Sequence, residues 1–184
     1  MAGQRRTSEM SIPIEIDVWQ GEIAELEVDA ILVPANESLF MTVPTARAVK
    51  QRAGETVESD AVAQAPVAPG TAVVTSGGRL AAPYIVHVVG VGHDLVANDE
   101  RLRSAIDAAF DQAGRLGLPR LATAPIGTER GVFDPERAAA VLAGVIVARA
   151  ERDAPLPATL VVAVASAAEV AAYRAALQPL GAAR

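Results

Sequence analysis

The sequence predicts one α/β domain in which helices cover both faces of a central mixed, mostly parallel sheet, a three-layer α/β/α sandwich. Short apolar runs alternate along the chain with segments of helical length, the order expected when strands and helices are layered. Two of the runs, Val28–Val33 and Thr159–Ala165, are apolar but for Asp29 and Thr159, as strands covered on both faces are. The 184 residues suit a single domain with a sizeable core, and no internal repeat or low-complexity tract divides them.

Residues 1–11 are polar and read as a flexible arm, with residues 12–184 forming the domain. Ile12–Trp19 sets Ile14, Ile16 and Val18 against Glu15 and Asp17, the alternation of a half-buried strand. After the buried strand Val28–Val33, Thr45–Ala53 carries helix formers and stops at Gly54, and Glu55–Gln64 adds a short helix before Pro66 and Pro69-Gly70. Thr71–Ser76 and Tyr84–Val89 are β-rich runs separated by the Gly77-Gly78 turn. Asn98 or Asp99 caps a helix that runs through Phe110 to Gly114–Gly117. Leu121–Pro125 is a compact strand. Asp134-Pro135 supplies a cap and a first-turn proline for a helix through Ala138–Arg152. Thr159–Ala165 is the last strand and Ala167–Leu177 the terminal helix.

Hydrophobic residues make up 51% and charged residues 21% of the chain, a globular rather than a disordered composition, and mean hydropathy is +0.28. Aromatics are only 3%, so the core must be aliphatic. The net charge of −6 argues against nucleic-acid backbone binding, which needs clustered cations. It leaves room for a small anionic ligand, because helix N-termini and backbone N–H groups hold phosphate without basic side chains. The absence of cysteine excludes disulfides, Cys-ligated zinc and thiol chemistry. His87 and His93 are too few for a His-rich metal site, and neither a metal nor a cofactor is expected. Met1–Met10 lacks the apolar centre of a signal peptide, and no stretch reads as a membrane span, so the expected location is cytoplasmic.

Two loops follow buried strands and should lie together at one edge of the sheet: Asn36–Pro44 and Gly127-Thr128-Glu129-Arg130-Gly131-Val132-Phe133. The carboxyl ends of parallel strands are where open α/β sheets place their ligands. The second loop has two glycines and a hydroxyl, a composition suited to backbone contacts with phosphate, though also to a plain strand-to-helix connection. Asn36 is either a ligand contact or a turn residue that satisfies backbone groups at a strand end. Glu22 is either a base-recognition carboxylate or a solvated turn residue. His87, inside an apolar run, reads as a hydrogen-bonded core residue, His93 as a solvated loop residue, and Trp19 as an anchor between the first strand and a helix.

Several segments, taken in order from Ile14 to Leu177, resemble the macrodomain family. Gly21-Glu22-Ile23 is similar to its Gly-Asp-Ile, and Ala35-Asn36 to its Ala-Asn. Gly70–Thr75, Leu80 and Ile85–Gly90 are similar to its middle strands. Ala124-Pro125-Ile126-Gly127-Thr128 resembles its Pro-x-x-Gly-Thr approach to the phosphates, one residue shorter. The resemblance implies ADP-ribose or a related nucleotide as ligand. Glu22 and Ile23 would meet the base, Asn36 the distal ribose and Gly127–Val132 the diphosphate, with Phe133 covering the ribose. It also implies ADP-ribosylated protein as a partner. An alternative is an ADP-ribosyl hydrolase, acting on protein or on O-acetyl-ADP-ribose, in which Asn36 is catalytic through its hold on the distal ribose.

The chain departs from the family pattern at four places. Phe40-Met41-Thr42-Val43-Pro44-Thr45 stands where a glycine run is usual, and side chains there cannot mimic glycine's freedom or close approach. Glu129 stands where glycine is usual, Glu22 is one methylene longer than the expected Asp, and Val164-Ala165-Ser166 offers no ring for stacking on adenine. A third reading follows: a diverged macrodomain serving another ligand or partner.

Overall fold

In a computed structural model, the described residues are 12–94, 96 and 98–180, with the side chain of Arg130 excepted. Residues 1–11, expected as an arm, lie outside them. Six strands, β1 (Glu15–Gln20), β2 (Ala30–Pro34), β3 (Thr71–Ser76), β4 (Tyr84–Val89), β5 (Arg120–Thr123) and β6 (Thr159–Val164), form one sheet in the order β1-β6-β5-β2-β4-β3. Every pairing is parallel except β3 on β4. Five helices complete the domain: α1 (Pro44–Ala53), α2 (Thr56–Val62), α3 (Asp99–Arg115), α4 (Pro135–Glu151) and α5 (Ala167–Leu177).

The two faces of the sheet are read directly from β2. Ala30 and Leu32 point into a core shared with α3, α4 and α5, while Ile31 and Val33 point into a second core closed by α1 and α2. All four are at most 1% exposed, which accounts for a strand apolar throughout. The expected three-layer α/β/α sandwich is the observed architecture.

Caps begin three of the helices. The side chain of Asn98 accepts the N–H groups of Glu100 and Arg101 at α3, and Asp134 accepts that of Arg137 at α4, with Pro135 in the first turn. Ser166 and Glu169 form a reciprocal capping box at α5.

At the amino-terminal edge of the sheet, Asp29 is bound to Arg120 through both backbone and side chain, locking the starts of β2 and β5 together. Hydrogen bonding to Arg120 holds the Asp29 carboxyl below its ordinary range. Arg149 of α4 is fully buried and reaches Asp107 and Asp111 of α3 at 2.7 and 2.9 Å. A buried guanidinium needs such partners, and these join the two helices. His87 is 1% exposed and bonded to Thr75 Oγ1 at 2.9 Å, the core role expected for it, and burial lowers its pKa to about 4. Among the described residues no helix is long and apolar enough to cross a membrane.

Candidate functional site

Because β1, β2, β4, β5 and β6 run parallel, their carboxyl ends open on one edge, and the loops that leave them surround a crevice. Backbone bonds fix each exit: Ala35 N–H to Val88 O, Ala124 N–H to Leu32 O and Gly21 N–H to Val164 O. The crevice has two chambers. One, of about 210 Å³, is lined by Asn36, Val43, Val88, Gly90, Gly92, His93, Ile126 and Gly127 among others. The other, of about 500 Å³, is lined by Gln20, Gly21, Glu22, Ile23, Pro44, Thr45, Thr128, Ala165 and Glu169 among others. Glu129 lines both.

Both expected loops therefore meet at the crevice, together with the turn after β1. Glu22 is exposed and Ile23 buried, the latter opening a 3-10 turn (Ile23–Glu25). Gly21 suits that place: a Cβ would run into the ring of Trp19, which packs across it. Trp19 is thus an anchor, as expected, packed against the α1–α2 core.

Asn36 is a strand-end turn residue that also lines the smaller chamber. Its Oδ1 accepts the Ser38 N–H at 3.0 Å and its carbonyl accepts the Leu39 N–H at 3.0 Å, a strand-end turn. Its Nδ2 has only a long 3.4 Å bond, to Phe40 O, and the residue forms part of the chamber wall.

The loop that replaces a glycine run is pinned rather than free. Leu39 and Met41 are 1% and 2% exposed, the Met41 N–H donates to Glu58 at 2.7 Å, and Lys50 pairs with the same carboxylate. Leu39 has φ +58°, a left-handed conformation that is disfavoured for a leucine and is held by this packing. The pinned loop presents Val43 to the smaller chamber and Pro44 and Thr45 to the larger one, and Phe40 to solvent.

In the second loop, Gly127 has φ +91°, and Gly131 φ +68° at an open position. Gly127, Thr128 and Glu129 line the crevice; the side chain of Arg130 is outside the described set. Val132 is half-buried against the α3–α5 core. Phe133 is 2% exposed, lies in that same core under the Arg137 guanidinium and lines neither chamber. The aliphatic core needs its few rings, and burial of Phe133 serves that purpose.

Glu129 carries the strongest electrostatic perturbation of the crevice. Burial raises its pKa to about 7 and the charge of Glu169 adds to the rise, while the N–H groups of Glu129 and Gly127 oppose it. Sequence reasoning did not find Glu169, Gln20 or His93 as wall residues. Glu169 is one turn into α5, where its carboxylate accepts the N–H groups of Ala165 and Ser166. His93 is 58% exposed, as a solvated loop residue should be, yet stands at the mouth of β4. Among the described residues no group of three or more acidic or imidazole side chains is placed to hold a metal ion.

A family model for the Macro domain matches residues 33–142. A protein of Mycobacterium tuberculosis, described only as uncharacterized, is 30% identical over 133 residues, which are 72% of this chain and 37% of that protein. An uncharacterized protein of Aquifex aeolicus is 32% identical over 127 residues, covering 68% of this chain and 77% of that one. Among solved structures, a macrodomain of Oceanobacillus iheyensis with ADP has a TM-score of 0.77 at 20% identity, covering 91% of this chain and 93% of that chain. A Trypanosoma brucei macrodomain in complex with ADP-ribose has a TM-score of 0.80 at 20% identity, covering 89% of this chain and 69% of that chain. Fold, crevice and family model agree: the chain belongs to the macrodomain family. It spans little more than a third of the mycobacterial relatives' length.

Proposed function

We propose that this macrodomain holds ADP-ribose or a closely related nucleotide in the two-chambered crevice. The observation that carries the reading is the convergence of Glu22 and Ile23, Asn36, and Gly127-Thr128 on one crevice at the carboxyl ends of parallel strands. The larger chamber has the room for a base beside Glu22 and Ile23, and the smaller one suits the distal ribose beside Asn36. The strip between them, at Gly127–Glu129, takes the diphosphate. That macrodomains of similar fold are solved with ADP and with ADP-ribose supports the same ligand class. Calorimetric titration with ADP-ribose, with ADP and AMP as controls, tests this: micromolar binding that weakens in Asn36→Ala is expected, and no heat together with no thermal shift refutes it.

A second reading is a crevice re-tuned for a different ligand. It is favoured by the lining itself: Glu22, Glu129 and Glu169 border the larger chamber, and no described Lys or Arg side chain borders either. Tighter binding of adenosine than of ADP-ribose, with adenosine added to that titration series, supports it.

A further inference from the structure

Glu129 lies in the wall of both chambers, the residue the described linings share. It is only partly exposed, and no described cation pairs with it. We propose that Glu129 sets the charge this crevice accepts at the junction of its chambers, so that a nucleotide diphosphate bound there enters together with one proton taken up by the Glu129 carboxylate. The inference rests on the nucleotide reading above and adds to it the protonation state of the site.

Among the described residues, the groups facing Glu129 offer it no cationic partner. From α5 come Glu169, already accepting hydrogen bonds from Ala165, Ser166 and the Ser166 hydroxyl, and Tyr173, whose ionisation burial opposes. The turn after β1 brings Glu22, and the start of α1 brings the uncharged Pro44 and Thr45. The loop after β4 brings His93, near the Glu37 carboxylate. On α4, Arg137 is held by Asp99 and the Phe133 ring.

A diphosphate diester is a double anion, and an ionised Glu129 beside it would put like charges together in a partly desolvated site. The N–H groups of Gly127 and Glu129, which favour the ionised carboxylate, are the donors a phosphate would use. Protonation resolves both conflicts: it removes the repulsion and ends the carboxylate's competition for those donors. Burial has already raised the Glu129 pKa to about 7, so the proton is available near neutrality. A bound diphosphate raises it further, and by linkage affinity then falls as pH rises above the free-state value and levels off below it.

The test is calorimetry of the full chain with ADP-ribose, whose diphosphate diester does not titrate in this range. It is run at pH 6 and pH 8, each in two buffers of different ionisation heat. The wild type is expected to bind roughly tenfold more weakly at pH 8 than at pH 6 and to take up about one proton per ligand at pH 8. Glu129→Gln, and independently Glu129→Gly, should bind equally at both pH values with no uptake by that group, and more tightly than the wild type at pH 8. Thermal melts establish that both variants are folded. Wild-type affinity that is flat with pH overturns the proton linkage while leaving nucleotide binding standing. So does a linkage that persists unchanged in both variants, which would assign it to another group such as His93. No binding by any of the three proteins at either pH overturns the nucleotide reading and this inference together.

Discussion

The N–H of Phe133 donates to the carbonyl oxygen of Gly127 at 3.0 Å, closing the second crevice loop upon itself. The same two residues touch through space: a Cβ on Gly127 would lie 3.0 Å from Cδ2 of Phe133, at a backbone φ of +91°. The ring buried in the core thus backs the glycine at the crevice.

Gly127→Ala should therefore both strain the backbone and press on the ring. The expected loss is about 1–3 kcal/mol of stability, read by chemical denaturation. A larger effect is expected on nucleotide binding, because the N–H groups of the loop move with it. Unchanged binding in a destabilised variant would separate the loop from the ligand.

Asn36→Ala removes an acceptor from the part-buried Ser38 N–H, a bond whose loss should lower stability by about 0.5–1.5 kcal/mol. If the long-bonded Nδ2 is what reaches the ligand, affinity for ADP-ribose falls by about tenfold or more while the melting temperature moves little. Isothermal titration and a thermal melt on the same sample distinguish the two effects. A hydrolytic role would instead show as loss of ADP-ribose release from an ADP-ribosylated protein.

Two strongly shifted groups, His87 and Glu129, bend the pH–stability curve in opposite senses. His87 is neutral when folded, with a pKa lowered by burial to about 4 from an ordinary 6.5. Its contribution is fully present above pH 6.5 and is lost as pH falls toward 4, on the order of 3 kcal/mol. His87→Gln should flatten that acid limb. Glu129 has its pKa raised, mainly by burial, from 4.5 to about 7, so its contribution is present below 4.5 and is lost as pH rises through 7. Glu129→Gln should stabilise the fold at pH 8, by roughly 1–3 kcal/mol, and leave it unchanged at acid pH. Denaturant melts across this range check both signs.

Arg149 is a remote control. Truncation to Ala strips Asp107 and Asp111 of their buried partner and should destabilise the protein by about 3–5 kcal/mol. In conditions where the variant remains folded, its affinity for nucleotide should equal that of the wild type.

Much of this was legible in the residues. The Asn98 and Asp134 caps, the apolar β2 and β6, and the alternation in β1 each reflect a local rule, and the elements lie within a few residues of expectation. The 3-10 turn at Ile23–Glu25 was not expected, since three residues carry no periodicity. At the site, the expected convergence of Glu22, Asn36 and Gly127–Glu129 follows from parallel topology, which places all these loops at one edge. What composition could not convey was side-chain direction. Phe133 faces the core and Met41 is drawn under its own loop by burial, while Glu169 reaches the crevice through its part in a helix cap.

The most direct test of the crevice as the nucleotide site is amide chemical-shift mapping of the labelled protein during titration with ADP-ribose. Saturable shifts concentrated at Glu22, Ile23, Asn36 and Gly127–Glu129, with the α3–α4 surface around Arg149 silent, are the predicted result. Shifts confined to a different surface, or none at saturating ligand, would contradict it.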